Sequence, residues 1–163
     1  MQLSENITMG LDASVHCNCI KEGKAPPHPF AELLAFDETG EPILKKEGEI
    51  SQDLWLAHDK WHRNSCAHSG YLVDRRLGNM SLVAYVREFL QSNSPNDFPL
   101  LLKRVVYSGT HCGDWIAASG VPQLLTETRR LQGLTSDSLI LGFANDVAAL
   151  AEASLATGNP IVF

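Results

Sequence analysis

The sequence has no long unbroken apolar run, no excess of basic residues and no familiar catalytic signature. Its most apolar stretch, residues 139–151, is interrupted by Gly142, Asn145 and Asp146. A bilayer-spanning helix needs about 20 predominantly apolar residues, so this stretch is expected to pack inside the protein rather than cross a membrane. Lys and Arg total 13 against 19 Asp and Glu, a formal charge of −6. That balance argues against a general nucleic-acid binder, which needs a basic footprint. There is no Gly-rich phosphate loop, no Gly-x-Gly-x-x-Gly, no His-Glu-x-x-His and no Gly-x-Ser-x-Gly, so the common nucleotide-binding and hydrolase signatures are missing. Met1 to Thr8 carry neither the basic patch nor the apolar core of a secretory signal. A cytoplasmic location is therefore expected, with the four cysteines as reduced thiols.

What is present is an ordinary globular composition: 163 residues, 44% apolar and 20% charged. Residues 1–8 read as a flexible extension and residues 9–163 as a single domain. The expected fold class is α+β, a small and mostly antiparallel sheet packed by four or five helices. Residues 11–20 alternate apolar and polar and predict a half-buried strand. Residues 32–44 predict a hairpin around Asp37-Glu38-Thr39-Gly40, and 115–118 a further short strand. Ser51 reads as the N-cap of a helix over 52–68. Further helices are expected over 79–91, from 119 to 131 and over 136–156. The run 100–107 is ambiguous between helix and strand. Ile161-Val162-Phe163 is expected to dock as an edge strand.

The charge is not spread evenly. Residues 32–59 hold eight acids and two bases, and the remainder holds eleven of each. The whole net charge thus belongs to one stretch, and a localised field steers a basic partner where a diffuse one does not. This motivates a non-enzymatic acidic binding protein, an inhibitor or immunity-type protein, with Glu38, Glu41, Glu47, Glu49, Asp53 and Asp59 forming the rim that meets a basic protein. The bland alternative is a solvated surface.

A second expectation comes from the cysteines, each of which lies within three residues of a histidine: His16-Cys17-Asn18-Cys19, Cys66-Ala67-His68 and His111-Cys112. Thiolate and imidazole suit zinc. No motif demands a cofactor, but a zinc site from Cys17, Cys19, His62 and Cys66 is a candidate, since a helix running to residue 68 would carry His58, His62 and Cys66 on one side. It would make the chain a zinc protein or a metal-dependent hydrolase. One obstacle is geometric. On a regular strand Cys-x-Cys holds its sulfurs roughly 6–7 Å apart, whereas two sulfurs on one zinc sit about 3.8 Å apart. The strand has to bulge for both to bind one ion; otherwise the two are small buried side chains.

The third candidate is the loop Ser108 to Trp115, which gathers Cys112, His111 and Asp114 between two glycines. It suits a thiol-dependent enzyme or redox sensor at Cys112, provided that a histidine from elsewhere activates the thiol, because neighbouring side chains diverge. The alternative is a tight structural connection. The segments Met9-Gly10-Leu11-Asp12 with Cys17-Asn18-Cys19, and Gly109 to Trp115, resemble features of small bacterial proteins with no assigned activity. That resemblance implies a bacterial cytosolic protein and assigns no role to any residue.

Overall fold

The computed structural model describes residues 9–45 and 48–163. The proposed extension over 1–8 and the candidate rim residue Glu47 lie outside the described residues. The fold is α+β, as its pattern predicts.

The first strand, β1 (Gly10–His16), obeys the predicted alternation, with Leu11, Ala13 and Val15 buried. It ends at His16, four residues before the alternation does, and residues 18–23 form turns. The hairpin forms as expected from β2 (Leu34–Phe36) and β3 (Pro42–Leu44). Asp37 is why it turns there: one carboxylate oxygen accepts the Thr39 and Glu41 amides at 2.8 and 3.0 Å and the Thr39 hydroxyl at 2.6 Å. It is a separate two-stranded sheet and not part of the main one.

Helix α1 (Gln52–Arg63) starts where Ser51 accepts the Leu54 amide at 3.4 Å, and stops at Asn64 instead of continuing to residue 68. Residues 64–70 form a tight connection whose end needs left-handed backbone at Ser69 (φ 51°) and Gly70 (φ 92°). Then comes β4 (Tyr71–Asn79), the longest strand among the described residues. Asn79 caps α2 (Met80–Asn93) through the Leu82 amide at 2.9 Å, a contact of a type worth about 1 kcal/mol.

The ambiguous run resolves as helical, with a π-turn over Leu101–Val105. The buried Glu127 carboxylate fixes its start by accepting the Leu100 and Leu101 amides, each at 2.9 Å. After β5 (Trp115–Ile116) come α3 (Val121–Leu134) and α4 (Ser138–Thr157). Asp137 caps α4, and Gly158 ends it in the left-handed conformation. Helix α4 is long and apolar enough to cross a bilayer by length and composition; here it packs on α3 and β4 and buries Phe143, Val147, Leu150 and Ala151.

The last strand, β6 (Ile161–Val162), corrects an expectation. It lies not at an edge but inside the sheet, whose order is β4-β1-β6-β5 with every pairing antiparallel. Edge or interior depends on which distant partners arrive, and a three-residue apolar segment does not encode that.

The main apolar core draws on β1, β4, β5, β6, the π-turn and helices α2, α3 and α4. Helix α1, the hairpin and the loop after β1 contribute nothing to it; Leu44 and Leu54 are buried outside that cluster. Residues 17–69 are therefore an appendage that some other interaction must fasten down.

Candidate metal centre

The fastening is polar. Where β1 ends, the Cys17 amide donates to the Gly70 carbonyl at 3.0 Å, so the end of β1 and the α1–β4 connection run side by side. Behind them Asn159, just past α4, is buried with both amide hydrogens used: it donates to the His16 carbonyl and to Asn18 Oδ1, each at 2.8 Å. Its own Oδ1 accepts Lys21 Nζ at 3.0 Å. Asn18 donates to the Thr157 carbonyl at 2.8 Å. The loop after β1 is thus tied to the end of α4 before any side chain chemistry is considered.

This frame gathers four donors. Cys17 Sγ and Cys66 Sγ are 3.6 Å apart, Cys19 Sγ and His68 Nδ1 are 3.3 Å apart, and all four atoms lie within 4.8 Å of one another. The group can hold a metal ion. The two shortest spacings match the edges of a tetrahedron with bonds of about 2.0–2.3 Å. The obstacle posed by Cys-x-Cys on a strand disappears because β1 has ended before Cys17, and the chain from Asn18 coils back: the Glu22 amide meets the Asn18 carbonyl and the Lys24 amide the Cys19 carbonyl, both at 2.8 Å.

Burial decreases across the set. Cys17 is buried, Cys19 and Cys66 are half-buried, and His68 is exposed beside a cleft of about 190 Å³. The electrostatics favour thiolate at Cys66. Burial alone would raise the Cys66 thiol, but the Gly70 and His68 amides and the neighbouring thiols donate to its sulfur and hold it down to about 6. Burial pushes Cys17 up to about 12, with the adjacent sulfurs acting in the same direction. One proton is thus readily lost and a second retained. A divalent cation would displace that second proton.

Three of the four candidate ligands, Cys17, Cys19 and Cys66, come together. The fourth, His62, does not join them. A Cβ placed on Gly70 would sit 2.3 Å from His62 Nε2 and nearly equidistant, at 3.0 and 3.1 Å, from the two flanking ring carbons. Gly70 therefore packs against His62 Nε2, and His62 lies outside the four-donor group. His68 takes the fourth position. The signal for it was in Cys66-Ala67-His68, and extending α1 to residue 68 hid it.

The other histidines of this region form a separate network. The Phe30 amide donates to His28 Nδ1 at 2.9 Å, so His28 Nε2 carries the hydrogen and donates to His58 Nδ1 at 3.0 Å. His58 Nε2 then donates to the Pro42 carbonyl at 3.0 Å. Both rings are neutral, since a second proton on either would face another hydrogen. Trp61 completes the joint by donating to the Pro26 carbonyl at 2.9 Å. Burial holds His28 below the ordinary imidazole value, and it does the same to His16 and His62.

The loop candidate is arranged differently. His111 donates through Nε2 to the Val105 carbonyl at 2.9 Å and sets Nδ1 3.1 Å from the Asp114 carboxylate. Asp114 also accepts the Tyr107 hydroxyl. The Gly113 amide donates to the Phe163 carbonyl at 2.7 Å, and the Phe163 amide to the Asp114 carbonyl at 2.9 Å. Gly113 and Asp114 thus stitch the loop to Phe163 beside β6, His111 is held by the Val105 carbonyl next to the Asp114 carboxylate, and Cys112 is exposed.

The acidic candidates are spread over several elements. Glu38 is exposed on the hairpin turn, Glu41 is half-buried near His16, and Glu49 and Asp53 are exposed at the entry to α1. Asp59 is exposed and paired with Arg63 at 2.8 Å. Comparison of the chain with known protein families, curated proteins and solved structures finds no match.

Proposed function

We propose that this is a zinc protein, with one Zn²⁺ held by Cys17, Cys19, Cys66 and His68, and that the metal's role is structural. The observation that carries this reading is the convergence of four soft and borderline donors, from two segments 49 residues apart in sequence, within 4.8 Å of one another. Three thiolates and an imidazole select zinc over the hard cations. Four protein donors fill a tetrahedral ion and leave no open position for water, which favours a structural over a hydrolytic site. The appended region supplies the need for it, because residues 17–69 lie outside the apolar core and a metal cross-link is how a small unit without its own core is stabilised.

The test is metal analysis of protein purified without a histidine tag and without chelator. Stoichiometric zinc that disappears in Cys66→Ser and His68→Ala but persists in His62→Gln supports the reading. Protein that folds fully and binds no zinc even when it is supplied overturns it.

A second reading, binding of a basic partner, draws on one observation: exposed Glu38, Glu49 and Asp53 share the appended region with the exposed apolar side chains Trp55 and Leu56 on α1. On this reading zinc holds the surface in shape, and partner affinity falls with salt. Undiminished affinity for an isolated partner after charge reversal at Glu49 and Asp53 would remove it.

A further inference from the structure

We propose that Cys17 and Cys66 are a peroxide-oxidisable pair, closing to a disulfide that releases the metal and takes over its cross-linking role. The inference rests on the zinc reading for its consequence, but the pair itself is visible without the ion.

Two short contacts stand out among the four donors, with Cys19 also lying beside both other sulfurs. Cys17 meets Cys66 sulfur to sulfur at 3.6 Å, while the short contact of Cys19 is with His68. A disulfide needs its sulfurs about 2.05 Å apart, so the Cys17–Cys66 pair needs a small side chain movement. The backbone is already braced for it. The Cys17 amide bond to Gly70 joins the two segments independently of any ion, and the Asn159 bonds to His16 and Asn18 tie the Cys17 segment to the end of α4. Departure of the metal therefore leaves the two sulfurs adjacent.

A cleft lined by Cys17, Cys19, His68 and Thr157, with the Lys24–Glu22 pair at its rim, opens beside the pair, and Cys66 itself is half-exposed. Hydrogen peroxide is small and neutral, so a site bearing three thiolates does not repel it. The Cys66 thiolate attacks one peroxide oxygen, the O–O bond breaks, and Cys66 sulfenic acid and hydroxide form. The Cys17 thiolate then attacks the sulfenic sulfur and expels a second hydroxide as the S–S bond closes. Two thiolates lose two electrons, peroxide gains them, and two protons from solvent convert the hydroxides to water. Zinc is left with Cys19 and His68 alone and passes to solvent.

The disulfide would join the same two segments that the ion joins, so the appended region stays attached in both states. Oxidation changes the cleft instead: the cation departs, and the Cys19 thiol and His68 imidazole become a free pair at its edge.

The experiment treats zinc-loaded Cys112→Ser protein with hydrogen peroxide under anaerobic conditions, and follows metal release with a colorimetric chelator and disulfides by peptide mapping. Cys112 is exposed and outside the site, so this background removes a competing thiol. Zinc is measured before oxidant is added, which separates failure of the zinc reading from failure of this one. The expected result is loss of two hydrogens in mass, a Cys17–Cys66 cross-linked peptide, complete zinc release and recovery of both thiols and zinc binding after reduction. Protein isolated without metal should give the same cross-link. A disulfide that includes Cys19, oxygen addition without a cross-link, or zinc retained after the cysteines react would each overturn the proposal.

Discussion

The two parts of this molecule are held together by different physics. In the body, strands and helices bury a continuous apolar cluster, and side chains such as Phe98, Leu124 and Phe143 are 2% exposed or less. Its stability comes from area removed from water, which is non-directional and tolerant of detail. In the appended region the buried side chains are few and mixed, Cys17, His28, Thr39, Leu44, Leu54 and His58 among them. Its contacts are directional: one hydrogen per nitrogen in the His28–His58 chain and one geometry at the four-donor cluster. Such a network holds fully when every donor is matched and fails steeply when one is removed. The same chain thus contains a robust part and a conditional part, joined where β1 ends.

The largest expected separation between them comes from removing the metal. Binding free energies of structural zinc sites are about 10–16 kcal/mol in isolated peptides. Strong chelation, or Cys66→Ser, should raise hydrogen exchange across residues 17–69 while α2, α3 and α4 keep their protection. A uniform loss of protection would mean that the two parts do not differ as described. The converse probe is Phe143→Ala in α4, expected to cost about 3–5 kcal/mol of global stability. Zinc stoichiometry in the folded variant should be unchanged, read by calorimetry and metal analysis on the same sample.

Acid should act on the conditional part first. Burial holds His16, His28 and His62 below their ordinary value. The unfolded chain therefore takes up protons first as the pH falls. The contribution of the neutral rings is complete above about pH 6.5, the unfolded imidazole value, and is lost progressively below it. Melting of the appended region, followed by tryptophan fluorescence of Trp55 and Trp61, should move to lower temperature below that pH. His28→Gln should reduce the acid dependence. The smallest effect is expected on the surface. Asp59→Asn breaks an exposed pair with Arg63 and should change stability by less than about 1 kcal/mol, with both parts melting as before.

Much of the secondary structure could be read in advance, because its signals are local. The alternation of Leu11, Ala13 and Val15, the turn-forming Asp37 and the caps Ser51 and Asn79 each act over a few residues, and each does in the structure what its type favours. Other features depended on distant partners. Nothing near Ile161 says that β1 and β5 will flank it, and the extent of β4 follows from pairing with β1 rather than from its own mixture of charged and apolar residues. The metal cluster falls between these cases. Three ligands were legible as residue types that suit a metal. His68 was lost to a single error, the end of α1, because an apolar stripe that continues past Asn64 imitates a helix after the backbone has left one. The closed imidazole chain of His28 and His58 was not legible, since each ring's partner lies 16 to 30 residues away.

The interior placement of β6 has a consequence for how the chain is made. Ser14 of β1 faces Val162 across the sheet, and Trp115 of β5 faces the same residue. A ribosome delivers these segments in sequence, so β1 and β5 each wait with one ladder edge unsatisfied until the strand that separates them has emerged. The sheet therefore closes after synthesis of residue 162, as a late docking event rather than a growing one. In the interval the cysteine-bearing loop after β1 is already exposed and lacks Asn159, the residue that later pins it to α4.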